Sequence, residues 1–315
     1  MTTSDAAAQV AARVIESFGR RVIVQTDSGE RLRAELFGKR LTVVCGDAVW
    51  VRPARSVHAD QDALQVVAVA PRKSLLARTD SRGRSESLAA NLSLLGVLVA
   101  PHPPPDPFVV DRYLAGASYA GIAGAVIMNK CDLAAANEPG FAALLDEYRS
   151  AGYPVLKLSA KHGEAMAELT ALLKDQVTML VGQSGVGKST LTNSLVPASA
   201  RSTRALSDST GEGRHTTVST ALFSLPGGGD LIDSPGVRDY APALIEDAQV
   251  QTGWPEITRL APHCRFNNCL HLREPACAVL KAIAANTLSA RRHESYKRLL
   301  NIMRGLAPDY ERRRT

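Results

Sequence analysis

Residues 182–189 read Gly-Gln-Ser-Gly-Val-Gly-Lys-Ser, the G-x-x-x-x-G-K-[ST] spacing of a phosphate-binding loop. Gly182, Gly185 and Gly187 let the backbone turn tightly, so that the N–H groups through Gln183, Ser184 and Val186 face phosphate oxygens. Lys188 brings a point charge for β- and γ-phosphates, and Ser189 brings a hydroxyl suited to Mg²⁺. An apolar run (Val177, Met179, Leu180, Val181) precedes the loop. A helix from about Lys188 to Leu195, including Thr190, is expected to follow and to turn its positive N-terminal end on the anion.

A second constellation concerns the base. Asn129-Lys130-Cys131-Asp132 ends an apolar segment, where ligands gather in open α/β sheets. A carboxylate such as Asp132 accepts from both N1–H and the 2-amino group of guanine. Adenine offers no such pair and would leave the carboxylate unpaired. Asn129 would fix the loop, and the stem of Lys130 would flank the base. Ser159-Ala160-Lys161 follows the next apolar segment and can offer backbone N–H to the guanine O6. Asp233-Ser234-Pro235-Gly236 follows another; Asp233 would hold Mg²⁺ through water and the Gly236 N–H would sense the γ-phosphate. In Gly211-Glu-Gly-Arg-His-Thr-Thr217, Thr217, in preference to Thr216, would complete the Mg²⁺ shell only when the γ-phosphate is present. The ligands expected are therefore GTP or GDP and Mg²⁺.

Three of the five cysteines crowd together as Cys264-x4-Cys269-x-His271-x5-Cys277. Three thiolates and an imidazole make the donor set of a closed, structural zinc site with no open position for water, so one structural Zn²⁺ is expected. Cys45 and Cys131 fit no such set, and an odd count without a secretion signal argues against a disulfide framework.

The elements that must position these residues fall into groups. At 315 residues the chain suggests two or three domains. Residues 1–17 are Ala-rich and read as a loose leader or short helix. Short strand-like runs follow at Val22–Val24, Arg31–Leu36, Val43-Val44, Ala48–Val51 and Leu64–Val69. Five strands in so short a stretch suit a small barrel, an OB-fold first. Such a barrel binds single strands of nucleic acid or serves as a spacer. Residues 71–90 read as a polar linker with five basic residues; it can follow a phosphate backbone or act as a solvated hinge. From Leu94 buried strands at 94–100, 125–128, 155–158, 218–225 and 230–232 alternate with helices at 109–120, 141–151 and 163–174. That alternation means a mainly parallel sheet with helices on both faces. Helical signals at 243–260, broken at Trp254-Pro255, and at 288–306 frame the cysteines. The expected division is 1–72 leader and barrel, 73–90 basic linker, 91–240 nucleotide-binding α/β domain and 241–315 helical zinc-binding domain.

Net charge is +6, which favours a polyanionic partner without identifying one. No apolar run approaches the ~18 residues of a membrane span, and the first residues lack a secretion signal; a cytoplasmic protein is expected.

The guanine-nucleotide motifs stand in an unusual order. Residues 129–132 and 159–161 precede the phosphate loop, a circular permutation that is tolerable when the old termini lie close. It sends the chain from Asp233–Gly236 directly toward the cysteines, so nucleotide state is expected to pull on the C-terminal region. The pieces GDAVWVR, NKCD, GQSGVGKSTL, GRHTT, DSPGVRDY and CRFNNCLHLREPAC resemble the circularly permuted, small-ribosomal-subunit-dependent GTPases over nearly the whole chain. The resemblance implies an OB-fold, a permuted GTPase domain and a zinc domain. It further implies binding to the small subunit and its rRNA late in assembly, with GTP hydrolysis stimulated there, in a protein expected to be monomeric. Val237 stands where a water-orienting Gln is often found, and the resemblance implies that His215 takes that role. Ser93 replaces a frequent Asp, and Val218 a frequent third Thr. A metabolic P-loop ATPase or kinase, which Asp132 opposes, and an RNA-binding module that merely carries nucleotide are the competing readings.

Overall fold

The computed structural model describes residues 9–38, 40–54, 64–80, 82–196, 220–234 and 240–306. Its N-terminal strands are β1 (Val10–Phe18), β2 (Arg21–Thr26), β3 (Arg31–Leu36), β4 (Ala48–Pro53) and β5 (Leu64–Val69). β1 pairs antiparallel with β2 and β4, β2 with β3, β3 runs parallel to β5, and β5 returns to β4. The ring closes into a barrel around Val14, Val22, Val24, Ala34, Leu36, Val49, Val51 and Val66, the inward residues of each period-two strand.

Two expectations fail here. Residues from Val10 onward form a strand, not a leader or helix, because alternate residues of β1 (Ala12, Val14) point into the barrel. Val43-Val44 forms no strand; Val43 fills the core from an irregular segment.

The register of β1 against β2 shifts between Val14 and Glu16. Ahead of that bulge, Val10–Arg13 pair with β4; beyond it, Glu16 pairs with Ala221 and Ser17 with Thr220 on strand β12 (Thr220–Ser224). A bulge bends a strand and ends its pairing on one side, which is how β1 serves two sheets. Arg13 meets Asp230 at 2.5 Å across the same seam.

Residues 71–90 are also not a linker. Strands β6 (Leu75–Thr79) and β7 (Ser85–Ala90) form an antiparallel hairpin turned at Asp80, whose carboxylate accepts from the Arg82 and Arg84 N–H groups. Leu76, Ala89 and Ala90 are buried beneath it. The charged residues that suggested a linker are its solvent face: Arg78 pairs with Glu86 and Arg84 with Asp80.

The α/β part has β8 (Leu94–Val99), β9 (Ala123–Met128), β10 (Val155–Lys157), β11 (Val177–Gly182), β12 and β13 (Asp230–Asp233) in spatial order β10-β9-β8-β11-β13-β12. All neighbours are parallel except β12–β13. Helices α1 (Pro107–Tyr119), α2 (Pro139–Ala151), α3 (Met166–Leu173) and α4 (Lys188–Leu195) lie between the strands in the chain. Every residue of β8 is buried, as a strand covered on both faces requires.

Beyond β13, Thr79 of the hairpin holds the chain: its N–H donates to the Ala241 carbonyl, its hydroxyl to that of Pro242, and the Tyr240 ring stacks on Tyr113 of α1 at 4.8 Å. The chain leaving residues 233–236 is thus anchored on β6 and α1 before it reaches the cysteines. Helices α5 (Asp247–Val250), α6 (Pro255–Leu260), α7 (Ala278–Ala284) and α8 (Ala290–Leu306) pack around Trp254, Ile257, Tyr296, Leu299, Leu300 and Met303. This unit docks on α1 and α2 through buried charge. Arg292 bonds Asp111 at 2.7 Å and also Glu256, while Arg291 bonds Asp111 at 2.7 Å and Glu147 at 2.5 Å.

Arg292 and Asp111 are 2% and 1% exposed, so removing Arg292 takes one of the two guanidinium partners from Asp111 and the guanidinium from Glu256 in a dry interface. Arg292→Ala is expected to cost about 3–5 kcal/mol, read as a lower urea midpoint; the surface pair Arg84–Asp80, deleted as a control, should cost under about 1 kcal/mol.

Candidate functional site: a nucleotide cleft and a Cys3His cluster

The carboxyl ends of β8, β9, β10, β11 and β13 form one rim, because parallel pairing aligns them. Gly182 ends β11 at φ +144°, and a Cβ there would sit 2.3 Å from the Leu98 carbonyl oxygen of β8. The loop then turns through Gly185 and Gly187 at φ +85° and +95°, left-handed backbone that favours glycine. Lys188 opens α4, and its Nζ donates to the Gly182 and Gln183 carbonyls at 2.6 and 2.7 Å. Val186 is buried and anchors the loop, whereas Ser184, Ser189 and Thr190 are exposed on it.

The base-reading loops are tied to this loop directly. Asn129, 3% exposed, donates from Nδ2 to the Val186 carbonyl at 3.0 Å and accepts at Oδ1 from the Ala160 N–H at 3.0 Å. Lys130 donates to the carbonyls of Gly185 at 2.6 Å and His102 at 2.8 Å. Asp132 accepts from the Ser159 hydroxyl at 2.6 Å, with His162 Nε2 at 3.6 Å from its other oxygen. The Ser159 hydroxyl, first among several donors and cations, holds the Asp132 carboxyl below the usual carboxylate range. Asp132 is therefore a fixed, ionised double acceptor at neutral pH, and Lys161 is exposed beside it. Asp233 ends β13, next to β11 in the sheet. Residues 129, 130, 132, 159–161, 182–190 and 233 thus share one rim. His215, Thr216, Thr217, Gly236 and Val237 lie outside the described residues.

One contributor left no signal in the sequence reading. The Pro-rich loop 101–106 lies against the phosphate loop: the His102 carbonyl holds Lys130, and Pro103 lies where a Gly185 Cβ would meet its Cδ at 3.3 Å. Only the fold brings it there.

The four expected metal-binding side chains also converge. The ligand atoms of Cys264, Cys269, His271 and Cys277 all lie within 4.8 Å of one another. Cys264 Sγ is 3.8 Å from Cys277 Sγ, and His271 Nδ1 is 3.5 and 3.4 Å from those two sulfurs. A tetrahedron with metal–sulfur bonds of about 2.3 Å has sulfur–sulfur edges of about 3.8 Å, so the donors fit zinc. Burial lowers the His271 pKa, keeping it the neutral imidazole a metal needs, and pushes the Cys269 thiol up to about 12; a bound dication favours the thiolate. Gln251 Oε1, 2.7 Å from His271 Nε2, orients the ring from twenty residues upstream, and nothing in the sequence announced it.

Among the described residues no helix is long and apolar enough to cross a membrane.

The sheet order, with both nucleotide loops on one rim and the phosphate-loop strand third from last in the chain, defines a circularly permuted GTPase. A family model described as RsgA GTPase matches residues 69–242. The small ribosomal subunit biogenesis GTPase RsgA of Azotobacter vinelandii (strain DJ) is 42% identical over 292 residues, covering 91% of this chain and 84% of that protein. The protein of the same name from Pseudomonas aeruginosa (strain PAO1) is 41% identical over 292 residues, 92% and 85% of the two chains. The chain belongs to the RsgA GTPase family and is a GTP-hydrolysing enzyme. The crystal structure of YjeQ from Thermotoga maritima shares its fold, with a TM-score of 0.72 at 24% identity over 94% of this chain and 99% of that one. YloQ, described as a circularly permuted GTPase, has a TM-score of 0.72 at 22% identity over 98% of this chain and 100% of that one.

A Cβ on Gly187 would lie 2.3 Å from Asn129 Nδ2, at a backbone φ of +95°. Gly187→Ala should therefore break the loop contact and weaken guanine-nucleotide binding at least tenfold, with the circular dichroism spectrum unchanged. Fluorescent GDP titration checks both the direction and the size.

Proposed function

We propose that this GTPase binds the small ribosomal subunit through its rRNA, acts late in that subunit's maturation and hydrolyses GTP when docked there. The observation that carries the reading is the pair of bonds from Asn129 to Val186 and Ala160, which make one nucleotide site from three separated loops. The names of the relatives supply the ribosomal partner, and the net charge of +6 suits a polyanion. The protein works as a cytoplasmic monomer, divided into barrel (1–72), GTPase domain (91–240) with the 75–90 hairpin packed into its core, and zinc domain (241–315).

In the site, Asp132 accepts from guanine N1–H and the 2-amino group, the 159–161 backbone faces O6, and the Lys130 stem covers one face of the base. Backbone N–H groups of 182–188 and the Lys188 ammonium hold the phosphates, and the dipole of α4 adds to them. Ser189, Asp233 and Thr217 are the residues that would hold Mg²⁺, which neutralises charge developing on the β- and γ-phosphates. The Gly236 N–H senses the γ-phosphate. His215 accepts or orients a proton of the attacking water. Cys264, Cys269, His271 and Cys277 hold a structural Zn²⁺.

Intrinsic turnover should be slow, about 10⁻⁴ to 10⁻² s⁻¹ as in unassisted GTPases. Purified small subunits should raise it, and the stimulation should fall steeply as salt rises. Stimulation absent at every salt concentration would remove the ribosomal partner from this reading. His215→Ala should keep GTP affinity and lose the stimulated rate; a variant still stimulated as wild type would free His215 of its role. Asp132→Asn replaces a double acceptor by an amide that suits the 2-oxo group of xanthine, so GTP binding should drop by about 10⁴-fold while XTP binding appears. Nucleotide competition measures both.

A further inference from the structure

Residues 250–253 do two jobs at once. Facing the GTPase domain, they are bonded to α1: the Tyr119 hydroxyl donates to the Val250 carbonyl at 2.7 Å and the Ser118 hydroxyl to that of Thr252 at 2.8 Å. Gly253 is pressed against the same helix, and a Cβ there would lie 2.6 Å from the Ala115 Cβ. Facing the other way, Gln251 reaches the cysteine cluster. Its Nε2 donates to the Ala248 carbonyl at 2.9 Å, which leaves Oε1 turned to His271 Nε2 at 2.7 Å. His271 is fully buried, and its Nδ1 is the nitrogen that faces the sulfurs. A proton on Nε2, donated to Gln251, is therefore the tautomer that leaves Nδ1 free to bind metal.

We infer that Gln251 is the positioning residue of the zinc site, fixing the tautomer and plane of His271, and that zinc retention is thereby coupled to docking of the zinc domain on α1. The turn that carries Gln251 is held in place by Ser118, Tyr119 and Ala115, so the GTPase helix supplies part of the rigidity of a metal ligand it never touches. Coupling of this kind is reciprocal: whatever loosens the turn from α1 loosens the metal, and loss of metal loosens the docking. The inference rests on the zinc reading given above.

The test uses the full-length protein purified with zinc and held in excess GDP, and follows transfer of the metal to a chromophoric chelator. Gln251→Leu should release zinc about tenfold faster or more. Gln251→Glu, which still accepts from Nε2, should stay within about threefold of wild type, because a carboxylate is a common partner for a metal-bound imidazole. Tyr119→Phe combined with Ser118→Ala, on the GTPase side, should also speed release, by less than Gln251→Leu. Leu and Glu variants that release zinc at equal rates would overturn the hydrogen-bonding role of Gln251. A double variant indistinguishable from wild type would overturn the coupling to α1. Wild-type protein that carries no zinc by elemental analysis would instead sink the zinc reading itself, and a failure of that kind is read before any variant is compared.

Discussion

One buried amide holds the nucleotide cleft together. Asn129 is at the end of β9, yet its side chain spends both its donor and its acceptor on other loops, the phosphate loop after β11 and the 159–161 loop after β10. A buried amide with both ends satisfied rigidifies what it joins, and leaving its partners unpaired is costly. The contact depends on strand positions in the sheet and not on their order in the chain. That is why a permuted sequence can build the same cleft: β8, β9, β10, β11 and β13 are parallel and end on one rim, whichever of them is made first.

Helix α1 is the second organising element. Its leading loop presents the His102 carbonyl to Lys130 beside the 182–189 loop, its middle stacks Tyr113 on Tyr240, and its Asp111 receives Arg291 and Arg292 of α8. Where the described chain resumes after β13 it is held at once: Tyr240 stacks on this helix, and the Ala241 and Pro242 carbonyls accept from Thr79 of the hairpin. The shared helix also explains why a buried charge cluster is tolerable at this interface: Asp111 meets two guanidinium groups, and Arg292 is answered by Glu256 as well, leaving little unpaired charge in a low-dielectric seam.

Much of the cleft was legible in the sequence because its parts are local. The 182–189 loop, Asn129–Asp132 and the C-x4-C-x-H-x5-C set each carry their chemistry within fourteen residues, and the spacing alone restricts what they can hold. The alternating strands and helices from Leu94 onward were legible for the same reason. What stayed hidden depends on partners far along the chain. Gln251 looks like any polar residue until His271 is placed beside it, and the Asp111–Arg292 pair joins positions 181 residues apart. The hairpin at 75–90 was masked by its own ion pairs, which give a strand the composition of a solvated loop. β1 was masked by its alanines, weak strand formers that gain their place only from the barrel interior behind them.

The split pairing of β1 has a consequence for how the chain is made. Its second half is matched to Ala221 and Thr220, residues synthesised roughly 200 positions later. At translation speeds of about 5–20 residues per second, the barrel emerges and can close on β4 while that half of its first strand waits, for some tens of seconds at the slower speed, for a neighbour. During the wait the kink at Val14–Glu16 twists an open strand edge away from strands of neighbouring nascent chains, so the same irregularity that lets one strand join two sheets also guards the half-made protein against pairing with the wrong one.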